Sequence, residues 1–154
     1  MKRIIAKLDV KSEFVIKGIE FEGVRKVGDP IKLAKRYFLE NIDEIIYLDC
    51  VASLYNRNHI INLLNKVSKE VFIPVTAGGG IRSFKDAKNL FDNGADKILI
   101  NTGAVKNPKV VKLISDYYGS QAVVLQLDCK KINKDKWEVY IDYGRERTGI
   151  DAIE

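Results

Sequence analysis

The stretch FIPVTAGGGIRSFKDAKNLFDNGADKILINTGAV, Phe72–Val105, decides how this chain is read. Phe72 to Thr76 is a short apolar, β-branched run of the kind that forms a strand buried on both faces. Gly78-Gly79-Gly80 follows, a turn in which no Cβ keeps the backbone away from a ligand. Ser83 to Asn93 carries Ala87, Leu90 and Phe91 at helical spacing. Ser83 and Asp86 open that helix as a variant capping box, and Asn93-Gly94 closes it. Lys97–Ile100 predicts a second buried strand, which delivers Asn101, Thr102 and Gly103 into another loop. Strands joined by such a crossover are parallel, and parallel α/β folds gather ligands at the carboxyl ends of their strands. Gly78–Gly80 and Asn101–Gly103 are therefore expected on one rim.

Outward from this unit the pattern repeats. Lys2–Val10 predicts a first strand carrying Asp9 near its end. Residues 11–29 are too long for a simple connector, and Phe14–Lys17 with Ile19–Phe21 predict a small hairpin over the strand ends. Asp29-Pro30 places an N-cap before a proline at the first helical position, and Ile31, Ala34, Tyr37 and Phe38 face inward from that helix. Glu44–Asp49 is the second strand, and Asn56–Lys69 the next helix, with Ile60, Leu63, Leu64 and Val67 on one face. Beyond the central unit, Asn107-Pro108 starts a further helix and Ala122–Asp128 forms a fifth strand. Lys130–Arg147, with Trp137, Val139 and Ile141 in alternation, predicts a hairpin, and Thr148–Glu154 reads as the beginning of a helix.

Taken as strand-end markers, Asp9, Asp49, Thr76, Asn101 and Asp128 fall about 25 to 40 residues apart, the repeat of a (β/α) unit. Five strands also suffice for a doubly wound sheet, but its dinucleotide fingerprint is absent from the first loop. The polar groups expected to converge at strand ends two to five favour a TIM barrel. The fold expected is thus α/β, a (β/α)8-barrel family member of which residues 1–154 supply one domain, the N-terminal part, with about five strands and four helices.

The apolar share of 46% and charged share of 31% are those of an ordinary globular protein. No apolar run approaches the ~20 residues of a membrane span, and MKRIIAKLDV reads as a strand rather than a signal peptide, so no membrane role and a cytoplasmic location are expected. A net charge of +5 invites a nucleic-acid partner, but the lysines are scattered over helix faces, as a solvated surface has them. Cys50 and Cys129 lie on different strands and make neither a disulfide framework nor a zinc-ligand set.

Asp9 and Asp128 each follow a leucine at a predicted strand end, where paired carboxylates can divide general acid and base work. With Asp49 they make three carboxylates, and on spacing alone these could hold Mg²⁺. Gly80, Asn101 and Thr102 offer backbone amides for a phosphate. His59, the only histidine, falls in a predicted helix, which argues against a histidine-based triad.

Four separated motifs, RIIAKLDV, AGGGIRS, GADKILINTGAV and GSQAVVLQLDCK, occur in the order seen in the cyclase subunit of imidazole glycerol phosphate synthase, which this chain resembles from Met1 to Glu154. The family's barrel is longer, and the resemblance is to its N-terminal part. It implies that Asp9 and Asp128 are the catalytic pair in an ammonia-using ring closure. That reaction converts a phosphoribulosyl aminoimidazole ribonucleotide into imidazole glycerol phosphate and AICAR in histidine biosynthesis. It implies that Lys17 reaches toward the substrate and that Gly80, Asn101 and Thr102 hold one of its phosphates; since the family needs no metal, Asp49 is expected to orient substrate or support the pocket's polar network. It implies that Arg3, Glu44 and Lys97 gate ammonia from a glutaminase subunit, with Asp96 at that interface. Neither metal nor cofactor is implied.

Three positions depart from the family pattern. Lys7 replaces a cysteine, Val51 a threonine, and Gln126 a small residue. These departures, and the match to only the N-terminal part of the family's barrel, keep two other readings open in turn. One is the same barrel chemistry in a paralogue serving amidino-sugar formation for surface polysaccharides. The other is a non-catalytic fragment that binds a phosphate or the partner.

Overall fold

The computed structural model describes residues 2–19, 22–52 and 60–153. The chain begins with β1 (Ile5–Lys11), β2 (Phe14–Ile19) and β3 (Glu22–Gly28), then α1 (Pro30–Leu39) and β4 (Glu44–Asp49). Next come α2 (Ile60–Val67), β5 (Val75–Gly78), α3 (Phe84–Asp92), β6 (Lys97–Ile100), and two helices, α4 (Thr102–Lys106) and α5 (Pro108–Tyr118). A 3₁₀ turn leads to β7 (Val123–Leu125), followed by β8 (Asp128–Asn133), β9 (Lys136–Ile141) and β10 (Glu146–Asp151).

β1 pairs in parallel with β4, and β4, β5, β6 and β7 follow across the sheet in chain order. The β2–β3 hairpin adds antiparallel on the other side of β1, and β8–β10 form a separate three-stranded sheet. Side chains alternate across the parallel strands. One face carries Leu8, Val10, Ile45, Tyr47, Val75, Ala77, Ile98 and Ile100, which pack with Ala34, Leu64, Leu90 and Ile114 of the helices. The opposite face carries Ile16, Leu48 and Leu99, joined by Ile46, Val124 and Tyr143. Among the described residues the four long helices thus cover one face only. A doubly wound sheet would be covered on both, so this is a partial (β/α) barrel.

Local chemistry accounts for most boundaries. The Asp29 carboxylate accepts from the backbone amides of Ile31 and Lys32 at 2.9 and 2.8 Å ahead of Pro30, fixing the start of α1. At α3 the capping box is complete: Ser83 Oγ accepts from Asp86 N, and the Asp86 carboxylate from Ser83 N. Gly94 ends that segment at φ 98°, whereas Asn93 stays in the ordinary region.

Several expectations are corrected. The strand expected over Phe72–Thr76 runs instead from Val75 to Gly78, and Phe72 is 77% exposed, edge-on to Phe38. Pro74 is the cause. It has no N–H to give the ladder, so pairing starts at its carbonyl, which accepts from Ile45 N. Thr76 is consequently not at a carboxyl end; its hydroxyl donates to Glu44 at 2.7 Å, near the amino ends. The fifth strand stops at Leu125, and Asp128 instead opens β8, paired with Tyr140. Thr148–Glu154 is not a helix beginning. Arg147 binds the buried Glu138 at 2.8 Å and Thr148 Oγ1 donates to the Val139 carbonyl at 2.6 Å, which holds β10 against β9. The first hairpin is longer than expected, and the loop expected at Asn101–Gly103 continues into α4. Of the helix expected over Asn56–Lys69, the described part is Ile60–Val67; His59 lies outside the described residues.

Candidate active site at the carboxyl ends of the strands

Lys7 and Asp9 stand two residues apart on β1 and so share a face, with Lys7 Nζ 2.8 Å from Asp9 Oδ1. Across the sheet, Asp128 is buried, and each of its oxygens accepts from a neutral amide: Oδ2 from Asn101 at 2.9 Å and Oδ1 from Gln126 at 3.1 Å. Burial pushes the Asp128 carboxyl above its ordinary range. The two amides and the charge of Lys7 oppose that push, while Asp9 adds to it. The Asp9 charge is therefore felt at Asp128, and the surroundings of the two aspartates differ in kind.

Asp49 is also buried, but its Oδ1 accepts from the backbone amides of Val51 and Ala52, both at 3.0 Å. It shapes the turn after β4. Gly79, at φ 112°, lies against that turn, and a Cβ there would overlap the Asp49 carbonyl oxygen. Gly103 is similarly confined, since a Cβ would overlap the carbonyl of Ile81. These contacts draw the glycine loop and the Asn101–Gly103 segment together. Asn101 turns its Nδ2 to Asp128, and its Oδ1 is buried. Thr102 Oγ1 accepts from Asp142 N at 3.0 Å.

A cavity of about 250 Å³ is lined by Asp49, Gly80, Asn101, Thr102, Gln126 and Asp128, among others. A second, of about 520 Å³, takes in Lys7, Asp9 and Lys17. Tyr143 lines both. It reaches the sheet from the β9–β10 turn, where Asp142 and Tyr143 adopt φ of 51° and 61°. That turn is pinned by the Thr102 contact and by Lys106, 3.1 Å from the Asp142 carboxylate. The Tyr143 phenol bonds Cys50, whose thiol burial pushes up to about 12. Sequence reasoning missed Tyr143. Only an Asp-Tyr-Gly turn between alternating runs marks it, and nothing local says which sheet it meets. Among the described residues, no three His, Cys, Asp or Glu side chains are grouped so as to hold a metal.

A family model described as "Histidine biosynthesis protein" matches residues 3–154. The chain belongs to this family. It is 47% identical over 152 residues to the imidazole glycerol phosphate synthase subunit HisF of Legionella pneumophila, covering 99% of this chain and 72% of that protein. It is 48% identical to the HisF subunits of Pyrococcus furiosus and Bacillus cereus strain AH187. Those matches again cover 99% of this chain, which spans 61% and 60% of the two relatives.

In this member of the histidine biosynthesis family the opposite rim is built around Glu44, 2% exposed at the start of β4. Lys97 Nζ lies 2.7 Å from one of its oxygens and Arg3 3.4 Å from the same one, while Thr76 donates to the other. Burial pushes the Glu44 carboxyl up. Lys97, Thr76 and the charge of Arg3 outweigh that push, and it ends below its ordinary 4.5. Asp96 is exposed and accepts from Val75 N at 2.8 Å, tying β6 to β5 at the same end. The predicted residues therefore fall into two groups: Asp9, Lys17, Asp49, Gly80, Asn101, Thr102 and Asp128 toward one end of the sheet, Arg3, Glu44, Asp96 and Lys97 toward the other. Among the described residues, no helix is long and apolar enough to cross a membrane.

Proposed function

We propose that this chain carries the cyclase chemistry of an imidazole glycerol phosphate synthase. Ammonia released by a glutaminase partner is joined to a phosphoribulosyl aminoimidazole ribonucleotide, and ring closure yields imidazole glycerol phosphate and AICAR. The observation that carries this reading is the pair Asp9 and Asp128, set in contrasting surroundings toward one end of the sheet in a chain 47–48% identical to HisF subunits. One carboxylate faces an ammonium and the other is buried between amides, the difference in surroundings that general acid and base work needs.

Gly80, Asn101 and Thr102 are the proposed phosphate contacts, and Lys17, exposed on the β2 hairpin, reaches the same substrate from the larger cavity. Asp49 serves by holding the turn against which the glycine loop packs. At the other rim, the charged cluster of Arg3, Glu44 and Lys97 is the proposed ammonia entry, with Asp96 facing the glutaminase. A second reading, the same ring closure turned to another substrate in surface-sugar modification, is favoured by Lys7 and Gln126. Both depart from the usual family residues, and each touches one of the two aspartates.

The test is ammonia-dependent consumption of the ribonucleotide, followed by product formation. Asp9→Asn and Asp128→Asn are each expected to lower kcat by about 100-fold or more while leaving substrate binding in place. Binding without turnover in the unaltered chain would overturn the proposal.

A further inference from the structure

The acid and base roles need not be symmetric, and the surroundings of the two aspartates differ in one charged residue. Lys7 contacts Asp9 directly; Asp128 is held by Asn101 and Gln126, both neutral. The Lys7 and Asp9 side chains remain 40% and 26% exposed and both line the larger cavity, although Asp9 Oδ1 itself is buried.

Resting on the cyclase reading above, we propose that Lys7 is a positioning residue that divides the aspartate pair. It holds Asp9 as the carboxylate that takes up a proton and leaves Asp128, buried and with no cation directly against it, as the group that delivers one. The geometry supports this in two ways. A 2.8 Å ammonium–carboxylate ion pair sets Lys7 against Asp9 Oδ1 and balances its charge. Asp128, by contrast, has no cation in direct hydrogen-bond contact among its described partners, and its burial favours the protonated acid against the opposing pull of the two amides.

The charged and titratable groups facing Asp128 come from four places. Lys7 and Asp9 lie on β1, Cys129 is its neighbour on β8, Tyr143 comes from the β9–β10 turn, and Cys50 lies beyond Tyr143 after β4. Lys7 is the cation of this set. Its charge opposes retention of the Asp128 proton, so removing it moves the loss of that proton to higher pH.

The experiment is the pH profile of kcat/KM for the unaltered protein, Lys7→Met and Lys7→Arg, with circular dichroism to establish folding. If Asp128 delivers the proton, Lys7→Met shifts the alkaline limb to higher pH, and Lys7→Arg restores the original limb. A shift of the acid limb instead would show Asp128 acting as the base and overturn the role division. Unmoved limbs, or a loss of activity with the profile unchanged and no rescue by arginine, would reduce Lys7 to a structural residue. In parallel, NMR titration of the Asp128 carboxyl in the same three proteins reads the influence of Lys7 without turnover. A higher midpoint in Lys7→Met is expected, and an unchanged one overturns the proposal. An inert unaltered protein with a responsive carboxyl signal would sink the cyclase reading, and the role division with it, while leaving the Lys7 contact in place.

Discussion

At Gly79 the backbone occupies a left-handed conformation while lying against the Asp49 turn. An added methyl group meets both a strained φ and an occupied space. Gly79→Ala is expected to cost about 3 kcal/mol, from backbone strain together with overpacking, measured as a lowered urea midpoint. Gly149, at φ 72°, has nothing within 4 Å of its would-be Cβ, so Gly149→Ala loses about 1 kcal/mol from backbone strain alone. Equal losses at the two positions would contradict the packing argument. Residues of this kind were partly legible in the sequence. The Leu-Asp pairs marked Asp9, Asp49 and Asp128 because each follows an apolar run, and the glycine run announced a close approach. The partners were less legible. Gln126 lies only two residues from Asp128, but Tyr143 arrives from another sheet, and such a distant contact leaves no local periodicity. Asp49 shows the same limit: a carboxylate that turns back onto amides two and three residues ahead is spelled like one that points into a pocket.

Helices were read more successfully than strands, because caps are local chemistry. The Asp29-Pro30 and Ser83–Asp86 signals each specify their own hydrogen bonds and start α1 and α3 where expected. Ser83→Ala removes the hydroxyl from the capping box and is expected to cost about 1 kcal/mol, read as a lower thermal midpoint. Ser83→Asp should recover most of it. A loss equal to that of a surface serine would mean that the Asp86 carboxylate alone caps the helix. Strand limits depend on a neighbour. Pro74 moved the start of β5, Tyr140 claimed Asp128 for a second sheet, and Glu138 with Arg147 made a strand where the sequence suggested a helix. In each case the deciding partner lies well away in sequence or requires the ladder to be known.

The order of strands in the molecule followed from the repeat, since strand–helix units of this length leave little choice but a parallel sheet. The charges at the amino ends did not: the resemblance groups Arg3, Glu44 and Lys97, and the fold supplies the contacts that join these residues, far apart in sequence. Its energetic weight is testable. The Glu44 carboxyl lies below its ordinary 4.5, so its ionisation stabilises the folded state above that value, and this contribution fades as pH falls through the folded-state value. Lys97→Met leaves a buried carboxylate with a weakened partner set and is expected to cost roughly 3 kcal/mol near neutral pH. The gap from the unaltered protein should narrow in acid, where Glu44 takes up a proton in both. Chemical denaturation at several pH values measures it, and a gap independent of pH would assign the loss to packing of the lysine stem.

From β1 through β4, β5, β6 and β7 each new strand lies beside the last, with the β2–β3 hairpin on the far side of β1, and this has a consequence for how the molecule is made. Of these strands β1 leaves the ribosome before the others, with the β2–β3 hairpin closing one side of it. Each later strand then finds the edge it needs already in place, in the sequence β4, β5, β6, β7, with its helix arriving to seal the same layer. Growth runs in one direction, and no strand has to insert between two that are already paired.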